Sequence, residues 1–143
     1  MTYASAQDLI DRFGEKELIQ LTDRVNRPQT TIDDTVVARA LADAEALADG
    51  YIATRYTLPL AAVPAALVRI VCDLARFLLH GKAAEKDSPV ERANAAAIRW
   101  LQDVSKGTVT LETGAGSAAI EATGGVRTSP GRRVMTRDSL RGY

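Results

Sequence analysis

The sequence predicts a mainly α protein: a compact four- to five-helix bundle followed by a long extended or β C-terminal arm. Three observations predict it. Through residues 1–106, apolar side chains recur at steps of three and four, the period of a helix with one buried face. Capping residues and stop signals punctuate those stripes. Beyond Gly107 the character changes. Six of the ten glycines (Gly114, Gly116, Gly124, Gly125, Gly131 and Gly142) fall in residues 108–143, which contain no Trp or Phe. The division is therefore a helical body over 1–107 and an arm over 108–143.

Ser5 with Asp8 three residues on resembles a capping box, so a short helix is expected from Ala6 to Phe13. Leu9, Ile10 and Phe13 make its apolar face, and Gly14 ends it. Glu15 to Asp23 supplies further helical turns with Leu18, Ile19 and Leu21. Residues 26–30, Asn-Arg-Pro-Gln-Thr, read as a loop. Thr31 or Asp33 then caps a long helix from about Asp34 to Tyr56, with Val37, Leu41, Ala44, Ala48, Tyr51 and Ile52 on one stripe. Gly50 within it either costs the helix about 1 kcal/mol relative to Ala or allows close approach of another helix, and Leu58-Pro59-Leu60 stops it because proline cannot continue the ladder.

Pro64 suits the first turn of the next helix, which ends at His80 with Gly81 as terminator. Its broad apolar face (Leu67, Ile70, Val71, Leu74, Phe77, Leu78) marks it as the central helix. Arg69, Asp73, Arg76 and His80 form its polar edge. Ser88 caps a last helix with Pro89 in first position. It runs to Lys106, with Val90, Ala93, Ala97, Leu101 and Val104 facing inward. Thr108 to Glu112 alternates and is β-branched, so a short strand is expected there; Ala118–Ala122 and Val134–Arg137 are weaker strand signals.

Composition narrows the function. Net charge is zero, which gives no general pull toward nucleic acid or membrane. Residues 1–107 carry 13 Lys/Arg against 15 Asp/Glu, and residues 108–143 carry five Arg against three acids. That small asymmetry favours an arm of one subunit meeting the body of another. The single cysteine, Cys72, excludes an internal disulfide and reads as a buried small hydrophobe. The N-terminus lacks the basic start and apolar core of a signal peptide. Arg69, Asp73 and Arg76 break the one long apolar run, Val63 to Leu79, so no membrane span is expected.

Chemistry is thin. His80 is the lone histidine and lacks Cys or carboxylate partners at ligand spacing, so it reads as a surface residue at a helix C-terminus. No nucleophile–His–acid pattern is present. Asp33-Asp34 are helix-start charges. The glycine clusters are not followed by Lys-Ser/Thr and a helix, which excludes a P-loop. Trp100 and the four tyrosines are too dispersed for a base-stacking platform. No catalytic, cofactor or metal residue is assigned, and an enzyme is not expected.

The run Tyr51-Ile52-Ala53-Thr54-Arg55-Tyr56-Thr57-Leu58-Pro59-Leu60, then Pro64, then Asp73-Leu74-Ala75-Arg76-Phe77-Leu78, resembles a family of small proteins of Mu-like phages and prophages. Asp8-Leu9-Ile10, Arg12-Phe13-Gly14 and Glu17 to Thr22 fit the same family. That family is similar to the head–tail connectors, also called adaptor, head-completion or neck proteins. The resemblance implies a homo-oligomeric ring below the portal, matching its twelve-fold symmetry as a dodecamer, in the virion neck and assembled in the bacterial host cytoplasm. Implied partners are further copies of the chain, the portal protein, and a tail-terminator or second neck protein. DNA would pass through the channel without sequence-specific binding, and no membrane is involved.

On that reading the arm residues Val109, Leu111, Ile120, Arg127, Arg132, Arg133, Val134, Met135, Arg137, Leu140, Arg141 and Tyr143 are candidate portal or subunit contacts. In the body, Arg55 and Tyr56 are either a structural bridge at a helix end or an interface. Arg69, Asp73 and Arg76 are divided between an intrachain ion pair and a ring contact. The rival readings are a DNA-binding or packaging-regulating accessory module and a small helical enzyme subunit.

Overall fold

The computed structural model describes residues 2–113. Five α-helices form the body: α1 (Ala6–Phe13), α2 (Glu15–Thr22), α3 (Asp34–Ile52), α4 (Ala65–His80) and α5 (Pro89–Lys106), with a single 3₁₀ turn at Gly81–Ala83. Among the described residues there is no strand. The short helices α1 and α2 lie against the layer formed by α3, α4 and α5. Helix α4 touches each of the other four, as a central helix must. Its Leu67, Val71, Leu74 and Ala75 are buried with Ile52 of α3, Leu9 of α1, Leu18 of α2 and Leu101 of α5.

Local chemistry sets most boundaries where the sequence places them. The Ser5 hydroxyl accepts from the Asp8 N–H at 3.2 Å, and the Asp8 carboxylate accepts from the Ser5 N–H at 2.8 Å, which completes the capping box. Asp33, not Thr31, caps α3 through the N–H groups of Thr35 and Val36. Ser88 caps α5 with Pro89 at its start, and Gly107 closes it in the left-handed region at φ +81°.

Three expectations need correction. Helix α3 stops at Ile52, so Arg55 and Tyr56 lie beyond its end. Pro59 is not the cause. The Thr54 hydroxyl donates to the Tyr51 carbonyl, and the N–H groups of Arg55 and Tyr56 both turn back to the Ile52 carbonyl. Tyr56 then drops into the core, 3% exposed. Gly50 is exposed, and no described residue lies within 4 Å of where its Cβ would stand, so none of the described helices approaches there. The strand expected over 108–112 is absent. The alternation survives without a ladder: Val109, Leu111 and Thr113 turn inward, and Thr108, Thr110 and Glu112 turn outward.

Candidate functional site

The family motif around Arg55 builds a clasp that holds residues 107–113 onto the body. Tyr56 Oη accepts a 2.8 Å hydrogen bond from the buried Leu111 N–H. The Ala62 N–H donates to the Thr113 carbonyl at 3.1 Å. Leu111 joins the core cluster, and Val109 packs against it. Arg55 lies over the end of α5, where it occupies the space a side chain at Gly107 would need. A Cβ built on Gly107 would meet Arg55 Nη1 at 1.8 Å and Cζ at 2.4 Å. The guanidinium therefore sits beside the carbonyl end of α5, where a cation is favoured. Arg55 Nε is buried with no hydrogen-bond partner among the described residues.

Of the candidate arm contacts, Val109 and Leu111 are thus placed on the chain's own body. Ile120, Arg127, Arg132, Arg133, Val134, Met135, Arg137, Leu140, Arg141 and Tyr143 lie outside the described residues, as do the strand signals at 118–122 and 134–137.

The polar edge of α4 divides in two. Arg76 is committed within the chain: its Nε donates to Glu17 Oε1 at 2.6 Å and its Nη2 to Oε2 at 3.0 Å. The guanidinium also lies 4.5 Å over the Phe13 ring. His80 Nε2 stands 3.3 Å from Glu17 Oε1, so His80 is a half-buried tie between α4 and α2 and not a free surface residue. Burial opposes ionisation of Glu17, but the bonds from Arg76 and His80 outweigh it and hold its pKa below the usual glutamate value. Arg69 and Asp73 form a looser pair at 3.9 Å, with the Arg69 side chain 75% exposed. Burial raises the Asp73 pKa despite Arg69. A pair so exposed contributes little to stability. With Ala66, Ile70, Ala93, Ala96, Ala97 and Trp100, it lines a shallow groove between α4 and α5.

Two structured features carry no strong mark in the sequence. Asp23 organises the loop between α2 and α3. Its carboxylate accepts from the N–H groups of Val25, Asn26, Thr30 and Thr31 and from the Asn26 side chain. Those bonds drive its pKa far below the ordinary aspartate value. The Gln29 side chain donates to the carbonyls of Gln20 and Asp23. The signal was the Asp-x-x-Asn spacing of residues 23–26, a turn in which an Asp side chain stands in for a backbone acceptor. At the N-terminus, Glu45 accepts from the N–H groups of Tyr3 and Ala4, and the Tyr3 hydroxyl donates to Asp49. Burial, then the Asp49 contact, raises the Tyr3 pKa, which keeps the phenol protonated.

Among the described residues no group of three or more His, Cys, Asp or Glu side chains is arranged to hold a metal ion. Cys72 is fully buried, and burial pushes its thiol pKa up to about 11, so it stays a thiol at neutral pH. Among the described residues no helix is long and apolar enough to cross a membrane. The polar groups that do cluster are spent on joining helices and bracing loops.

The family model described as Bacteriophage Mu, Gp36 matches residues 3–129. Gene product J of Escherichia phage Mu is 40% identical over 113 residues, spanning 75% of this chain and 74% of that protein. The Mu-like prophage FluMu protein gp36 of Haemophilus influenzae is 30% identical over 142 residues, spanning 99% of this chain and 97% of that protein.

Proposed function

The chain belongs to the Bacteriophage Mu Gp36 family, and from that premise we propose that it is a non-enzymatic head–tail connector of a Mu-like phage or prophage. Copies form a ring below the portal, complete the DNA-filled head, extend the DNA channel and present a surface for tail attachment. The ring follows the twelve-fold symmetry of the portal. Its partners are further copies, the portal protein and a tail-terminator or second neck protein.

One observation supports this reading above the rest: residues 107–113, which lead into the arm in sequence, are clasped onto the body. A ring subunit needs a rigid body and a means of attachment fixed in direction. The motif residues Arg55 and Tyr56 are used to pin residues 107–113 onto the helices. Residues 114–143 carry five arginines against two acids. Such a segment suits a partner with an acidic, partly apolar groove. Repeated around a ring, individually weak attachments become collectively strong.

The test is truncation after Thr113, which leaves the clasp intact. The shortened chain is expected to keep its helical circular dichroism and cooperative melting. In a phage or prophage that depends on it, full heads and free tails should accumulate unjoined. Normal yields of infectious tailed particles would refute the attachment role.

A further inference from the structure

Helix α3 carries two contrasting faces. On one, Val36, Ala40 and Asp43 recur at steps of four and three, and with Arg24, Arg39 and Leu78 they line a shallow depression. Leu78 is 43% exposed, and Val25, beside Arg24, is 87% exposed, the most exposed large apolar residue described. Asp43 is the only acid on this face, against two arginines. On the other face, Asp34, Ala38, Leu41 and Glu45 border a groove closed by the N-terminal segment. Its floor is apolar, Asp34 and Glu45 are its charged side chains, and none of the described residues lining it is basic. At 3.6 residues per turn, Ala38 lies roughly 160° around the helix from Val36.

We propose that these faces are the two halves of one contact between copies of this chain: the arginine-flanked face of one copy seats on the acidic groove of the next. The inference rests on the ring reading above and names its contact surfaces. Opposite charge, matched apolar floors and placement on opposite sides of one rigid helix fit a heterologous contact, which closes rings if its rotation allows. Neither half requires reordering. Asp23 holds the loop that carries Arg24 and Val25, and Glu45 holds the N-terminal wall of the groove through Tyr3 and Ala4. Surfaces fixed in advance lose less entropy on association.

The test is oxidative cross-linking of the full chain. Cys72 is fully buried, so introduced thiols dominate the reaction. Arg24 and Ala38 are exposed, and neither contributes to the core. Chains with Arg24→Cys alone or Ala38→Cys alone should give little product. Their mixture should give a covalent dimer. The doubly substituted chain should give a ladder of trimers and longer species, because only a head-to-tail contact propagates. A ladder that is absent overturns the proposal. So does one equally strong when exposed Arg92 of α5 carries the second thiol in place of Ala38. Sedimentation of the unmodified chain separates the two ideas. Higher oligomers without a ladder sink these faces and leave the ring standing; a monomer at every concentration, also without a ladder, sinks both.

Discussion

Gly107→Ala tests how the body ends. The residue sits at φ +81°, a conformation that costs a non-glycine residue about 1–2 kcal/mol. The new Cβ would also stand 1.8 Å from Arg55 Nη1 and 2.4 Å from Cζ, so the guanidinium must leave its place over the end of α5. Arginine is flexible, so the collision is relieved by movement, with loss of packing rather than collapse. Backbone strain alone predicts a fall in melting temperature of roughly 3–9 °C for a domain of this size. Thermal and urea melts followed by circular dichroism measure it. A double-mutant cycle then isolates the contact. Arg55→Ala removes the obstructing group, so the double variant should be less destabilised than the sum of the two single changes. Additivity within about 0.5 kcal/mol, or a neutral Gly107→Ala, would refute the clasp.

Tyr56→Phe leaves the buried Leu111 N–H without its acceptor and should cost about 1–3 kcal/mol, read by urea melts. Hydrogen exchange should accelerate at Leu111 in the same variant and stay unchanged on α1. Arg76→Ala removes two hydrogen bonds to a carboxylate and should cost about 1.5–3 kcal/mol near neutral pH. The sign with pH follows from Glu17. Its pKa is lowered on folding, so its contribution is present above the unfolded value of about 4.3 and lost as pH falls through the folded value. The gap between wild type and Arg76→Ala should therefore narrow below about pH 4 in melts across pH. Asp23→Ala should open the α2–α3 loop, seen as faster exchange at Thr30 and Thr31, while the helix content of the body persists.

Much of the body was legible because local signals and tertiary packing agree. The capping box at Ser5, the Ser88-Pro89 start and the Gly107 stop each work within one turn of chain. The broad apolar face of α4 marked it as central. The misjudged end of α3 shows the opposite case. There the chain turns back on the Ile52 carbonyl, and Tyr56 enters the core with its hydroxyl accepting from the Leu111 N–H, 55 residues away, a contact that no local pattern reports. The same holds for Arg76, whose partner Glu17 is 59 residues distant. The alternation at 108–113 was real, but a period of two marks an extended chain with one face buried. It does not require a neighbouring strand: here Leu111 joins the core cluster, and Tyr56 and Ala62 of the α3–α4 connection bond to the backbone of Leu111 and Thr113. The organiser of the α2–α3 loop, Asp23, precedes the turn residues 26–30, so the turn signal marks the loop without marking the carboxylate that braces it.

The central claim is that copies of this chain stand in the neck of an assembled particle, between portal and tail. Cryo-electron microscopy of portal–neck complexes purified from particles that carry it tests this directly. The expected result is a ring of the five-helix body directly below the portal, around a continuous channel, with residues after Thr113 reaching a portal subunit or a neighbouring copy. Complete portal–tail junctions without the chain, or its density elsewhere in the particle, would contradict the account.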